Sequence, residues 1–194
     1  MRHILTILCV LTSLCCIAQE HMKFMGIPID GSVNSFTASL KKKGFVIAPD
    51  NQYIGVGCRL LIGDFMGVSG TEIGLYYDGS NSRMYSVVAL SDYPEIEQAE
   101  ARQKYIMELL KKKYPSWKCV ESKEEFLKIT FEANEGAVVI WIDPYESWYN
   151  LKITYIDRVN YNSYKKKEIE KQKAIQEQAR KKALITIERE WDDL

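Results

Sequence analysis

Through residues 45–91 apolar side chains recur at every second position: Leu61, Gly63 and Phe65, then Ile73, Leu75 and Tyr77, then Tyr85, Val87 and Ala89. A period of two marks strands with one face on a core. The turn-rich segments 67–70 and 78–81 join these strands into an antiparallel meander. The pattern returns as Leu127, Ile129 and Phe131, then Val139 and Trp141, then Leu151, Ile153 and Tyr155.

Each strand block follows a stretch of helical period. Asp30, Gly31 and Ser32 are helix-start residues, and Val33, Phe36 and Leu40 lie one helical turn apart. Lys41, Lys42, Lys43 and Gly44 then supply cations for the C-terminal dipole and a left-handed cap, giving a helix over about residues 32–43. Ser91 or Asp92 before Pro94, Glu95 and Glu97 reads as a second start. Ile96, Ala99, Ile106 and Leu110 follow on one face up to Lys113. The expected class is therefore α+β: two tandem helix-plus-antiparallel-meander repeats, residues 19–92 and 93–159, with a charged C-terminal helix over 160–194. Shifting residues 65–92 by 66 places Phe65 on Phe131, Gly70 on Gly136, Ile73 on Val139, Leu75 on Trp141 and Val87 on Ile153. Both helical stretches also end in the same LKKK.

The opposite strand faces are apolar as well, with Leu60, Ile62, Tyr76, Met84, Val88 and Leu90, then Phe126, Val138, Ile140, Ile142 and Ile156. A sheet with water on one side alternates apolar with polar. The second face is therefore expected to be covered by the other repeat, the C-terminal segment or a partner.

Residues 1–18 read as a signal peptide: Arg2 and His3 precede an apolar run over 4–17, and Ala18 supplies the small residue before a cut. That run is too short for a permanent bilayer span, and no transmembrane segment is expected once it is removed. Cys15 after Leu14 and Cys16 after Cys15 fit a lipidation signal poorly, so soluble export, periplasmic or extracellular, is preferred to a lipoprotein anchor. Cutting 18 residues from 194 leaves 176, with 25 basic and 26 acidic side chains. Such a balance speaks against a nucleic-acid partner.

The cut leaves one histidine, His21, in an N-terminus expected to be loose, and two cysteines, Cys58 and Cys119. In an oxidising compartment these two form one disulfide or stay as separate half-buried thiols. Triads and His-rich metal sites lack their residues, and no P-loop, Gly-x-Ser-x-Gly or dinucleotide fingerprint is present. The carboxylate pairs Glu95 with Glu97, Glu124 with Glu125 and Asp192 with Asp193 read as solvated charge. No catalytic residue, cofactor or metal ligand is assigned, and the chain is not expected to be an enzyme.

Tyr145, Trp148 and Tyr149 fall in the expected turn between two strands, while Trp141 and Tyr155 fall in core phase. Turn aromatics serve recognition surfaces, or else fold over their own sheet edge. The C-terminal segment carries nine basic and seven acidic residues, with Ile175, Ala179, Leu184, Ile187, Trp191 and Leu194 forming an approximate stripe. Its first half has no clean apolar heptad, which argues against a long self-sufficient coiled coil.

The segments FMGIPIDG, KKKGF, GDFMG and YYDGSNSRMYSVV, behind an export signal, resemble small secreted bacterial envelope proteins. The repeated helix-plus-sheet order over residues 24–158 is similar to that of the beta-lactamase inhibitory protein and of small outer-membrane assembly lipoproteins. That resemblance implies a duplicated α+β fold and places no functional residue on this sequence. The charged C-terminal helix and the poor lipidation signal depart from the lipoprotein pattern. The expected function is a secreted or periplasmic non-enzymatic module that binds an unknown protein partner. Alternatives are an inhibitor or modulator of a secreted enzyme, and a weak carbohydrate or peptide module using Tyr145, Trp148 and Tyr149.

Overall fold

Two hairpins with the same sequence start, Phe-Met-Gly, frame the first half of the chain. The computed structural model describes residues 21–122 and 127–192; the expected signal peptide, Glu124, Glu125, Phe126 and Asp193 lie outside them. Strands β1 (Lys23–Phe24) and β2 (Ile27–Pro28) pair through Met25 and Gly26, at φ 51° and 81°. Strands β4 (Cys58–Phe65) and β5 (Val68–Tyr77) pair through Met66 and Gly67, at φ 52° and 81°. Left-handed residues at both loop positions match the twist of a tight antiparallel pair. Phe24 and Phe65, the residues before these turns, stack with centroids 5.0 Å apart.

Helix α1 (Val33–Lys41) starts where the Ser32 side chain accepts the Ser35 amide, and the chain leaves it through Gly44 at φ 94°. Val33, Phe36 and Leu40 are buried as their spacing requires. The chain continues through β3 (Val46–Ile47), a 3-10 turn (Pro49–Tyr53), β4, β5 and β6 (Met84–Tyr93). Strand β6 runs through Ser91 and Asp92, so α2 (Ile96–Lys113) begins after Glu95 and not at the expected start. Strands β7 (Lys118–Glu121), β8 (Lys128–Glu132), β9 (Gly136–Tyr145) and β10 (Trp148–Asp157) follow, and α3 (Arg158–Asp192) leaves β10 without a loop.

Strands β3 to β10 form one eight-stranded antiparallel sheet in the order β3-β4-β5-β6-β10-β9-β8-β7. The fold is α+β. Each half supplies a helix and four strands, and the two halves meet side by side where β6 pairs with β10. The gapless 66-residue shift does not describe this arrangement. Ile73 and Leu75 face the helices and are fully buried, whereas Val139 and Trp141, their shifted counterparts, point to the other side.

One inner row runs Leu61, Ile73, Ala89, Ile153, Ile140, Ile129, and the next runs Leu75, Val87, Tyr155, Val138, Phe131. All are buried beneath α1 and α2, which add Val33, Phe36, Leu40, Ala99, Ile106 and Leu110. Gly63 belongs to this side because Phe45 lies on it: a Cβ there would come 2.4 Å from the ring. Met84, expected on the opposite face, is fully buried in the core. Tyr76 pairs with Ser86 but Tyr77 pairs with Met84, so Tyr85 is an extra bulge residue that turns Met84 inward.

Candidate binding face

The other side of the sheet presents two partly open rows. The first is Val46, Ile62, Glu72, Leu90, Lys152, Trp141, Lys128, and the second is Leu60, Gly74, Val88, Thr154, Val139, Thr130, Val120. Leu60, Ile62, Val88, Leu90 and Val139 are half-buried, while Val46, Trp141 and Val120 are exposed. The expected cover is not the other half of the chain, which extends the same layer. Helix α3 reaches one end of this face by its first turns, where Tyr161 and Tyr164 lie against Tyr85. No other described element lies over the two rows.

The β9–β10 hairpin turns through Glu146 and Ser147, with Glu146 at φ 52°, so Tyr145 pairs directly with Trp148. These side chains are 61 % and 48 % exposed and share the outer side with Trp141, which is 38 % exposed. Trp141 is thus corrected from core to surface. Its partner across the strands is Lys152, whose ammonium lies 5.3 Å from the Trp141 ring centroid and 2.6 Å from the Asp143 carboxylate. Tyr149 separates from the other two turn aromatics: it alternates with Trp148 and packs against the core opposite Tyr93. The recognition trio of the sequence is therefore two outer aromatics, Tyr145 and Trp148, joined by Trp141 and Lys152.

A signal for this arrangement was present in the sequence. Lysine within the apolar run Leu151–Tyr155 has to face water, which turns Ile153 inward, and a two-residue turn then sets Trp141 opposite Lys152.

At the α3 end of the face, a cleft of about 790 Å³ is lined by Cys58, Tyr76, Asp78, Tyr85, Tyr164 and Lys167, among others. Tyr85 and Tyr164 stack with centroids 4.3 Å apart. Burial pushes the Cys58 thiol up despite its hydrogen bond with Tyr76, which leaves it a thiol and a poor nucleophile. Lys167, and then Ser80, hold the Asp78 carboxyl down at about 2. Cys58 and Cys119 are free. They sit on β4 and β7, six strand positions apart, or roughly 29 Å at 4.8 Å per strand. A disulfide needs Cα atoms within about 7 Å, so a bond between these two within one chain is corrected to two separate thiols.

His21 is not in a loose terminus. Its Nδ1 lies 2.8 Å from the fully buried Asp157, whose carboxylate also accepts the Met22 amide at 3.0 Å and the Asn160 amide at 2.9 Å. Asn160 in turn donates to the carbonyls of Ile29 and Met84. The N-terminal hairpin, β6 and the start of α3 are joined at this point, so the first turn of the charged helix belongs to the core. Among the described residues, no helix is long and apolar enough to cross a membrane. No family model matches the chain, and no curated protein or solved structure matches it.

Proposed function

We propose that this chain is an exported, non-enzymatic binding protein that recognises a protein partner through the outer face of its sheet. The observation that carries this reading is the run of half-exposed Leu60, Ile62, Val88, Leu90 and Val139 continued by exposed Trp141, Tyr145 and Trp148. Export rests on the composition of residues 1–18, and a non-enzymatic role on the lack of an assembled nucleophile and base in the sequence.

Covering five half-exposed aliphatic side chains is worth about 1 kcal/mol each, or about 5 kcal/mol in all. Association itself costs about 4–15 kcal/mol, so the aliphatic rows alone sustain weak contact at best. Trp141, Tyr145 and Trp148 supply the larger, stiffer anchors that convert such a surface into a specific one. Lys152 and Asp143 at its centre add direction, because a partner that buries them has to satisfy both charges.

The test is affinity capture from the protein's own envelope extract, with wild type and Trp141→Ala/Trp148→Ala side by side. One species held stoichiometrically by wild type and lost by the variant supports the reading. Retention of that species by the variant, or no retained species, overturns it.

A further inference from the structure

Where α3 crosses the end of the outer face it walls the cleft of about 790 Å³, a volume within the roughly 300–1,000 Å³ of small-ligand sites. Cys58 and Tyr76, paired across β4 and β5, form its floor. Tyr164, Lys167 and Lys171 line it from α3, and the turn over residues 78–80 lines it from the sheet. Tyr76 leans over Gly74, where a Cβ would come 3.1 Å from the ring, and it remains 37 % exposed. On the rim, Val56 rests against Gly79 and is 92 % exposed. Folding leaves much of the apolar area of both side chains in water, and a molecule seated in the cleft would cover it.

The charged groups of the cleft cancel. The Lys167 ammonium lies 2.6 Å from the Asp78 carboxylate, and that of Lys171 lies 3.9 Å from Glu168. A small anion would meet Asp78 and Glu168, a small cation would meet Lys167 and Lys171, and a wholly apolar molecule would strip water from all four. Hydroxyl groups meet no such penalty, because each can donate to a carboxylate and accept from an ammonium. Ser80 already shows the pattern: its hydroxyl donates to Asp78 at 2.6 Å and keeps lone pairs with which to accept. A ring with hydroxyls at its edge and C–H groups on its faces would also cover Tyr76, since those C–H groups suit the negative face of the phenol ring.

We propose that this cleft binds an uncharged saccharide, with one sugar ring over Tyr76 and its hydroxyls on Asp78, Lys167 and Lys171. The Asp78–Lys167 bridge holds both groups in place beforehand, which lowers the ordering cost of binding. Trp141 and Trp148 take no part in this cleft, so the proposal does not rest on the protein-binding reading and partner capture does not report on it.

Titration of the full chain with maltotriose, cellotriose and tri-N-acetylchitotriose, followed by amide NMR, tests this. At least one of the three is expected to bind in the millimolar range or tighter and to shift the amides of Gly57, Tyr76 and Gly79. Tyr76→Ala should weaken that binding by about tenfold and Lys171→Ala by about threefold, whereas Tyr105→Ala, which removes an exposed ring on α2, should leave it unchanged. Lys171 is exposed on α3, so its variant decides the matter if Tyr76→Ala does not fold. Betaine, galacturonate and spermidine stand for a zwitterion, an anion and a cation, and should leave these amides in place. No shift with any of the three trisaccharides overturns the proposal. So does a stronger response to one of the charged probes, or saccharide binding undiminished in the folded variants.

Discussion

On the helix side of the sheet, Leu61, Ile73, Ala89, Ile153 and Ile140 form an unbroken buried row; one residue along the same strands, Leu60, Val88, Thr154 and Val139 are only half-buried. The side chains of these rows are of similar type, so composition does not decide which is core. Two helices of 9 and 18 residues are enough to close one side, and both lie on that side. The third and longest helix contributes its first turn to the core and then departs. Strand alternation sets which residues share a side, while the helices decide what that side is for.

The largest effect is expected where this contrast is sharpest. Phe131→Ala on the inner face should cost about 3–5 kcal/mol in urea unfolding, against about 1 kcal/mol or less for Trp141→Ala on the outer. Equal losses would mean that both faces are core. Next comes the joint that fastens the N-terminal hairpin to the inner layer. Asp157→Ala strips acceptors from the Met22 and Asn160 amides, and should cost about 2–3 kcal/mol with faster hydrogen exchange at Met22.

The tether between α3 and the edge of the outer face should matter less. The Asp78 carboxyl sits at about 2 when folded against an ordinary 3.8, so its contribution is full above about pH 4 and is lost as pH falls towards 2. That contribution is about 1–2 kcal/mol after allowance for partial exposure, and Asp78→Asn should flatten stability across that window. The smallest effect on stability belongs to the open hairpin. Trp148→Ala should change unfolding by about 0.5 kcal/mol or less while weakening partner binding, and a large stability loss would place Trp148 in the core after all.

Alternation and helix signals made much of this fold legible. Val33, Phe36 and Leu40 were placed on the buried face of α1 by spacing alone, and Gly44 at its end by the need for a left-handed residue. Where both faces of a strand are apolar, alternation gives parity without sign. For that reason alternation points to Val139 and Trp141 as core, when Val138, Ile140 and Ile142 fill it. Met84 faces inward against its sequence parity because a bulge at Tyr85 reverses that parity, and nothing in MYSVV announces a bulge. Among the site residues, the turn position leaves exposure or folding over the sheet edge open; Tyr145 and Trp148 are exposed and Tyr149 packs against the core, because adjacent strand residues point to opposite sides.

By itself the sequence determined the α+β class, the order of helices and strands, and the charge pattern of the C-terminal helix, because these depend on periodicity and on residues a few positions apart. The tertiary structure alone decided that both halves join one continuous sheet, that Cys58 and Cys119 lie on strands six positions apart, and that His21 is fastened to Asp157 across 136 residues of chain. It also decided which apolar face remains open. Those outcomes turn on which side each helix packs, a choice made by contacts distant in sequence that no local pattern encodes.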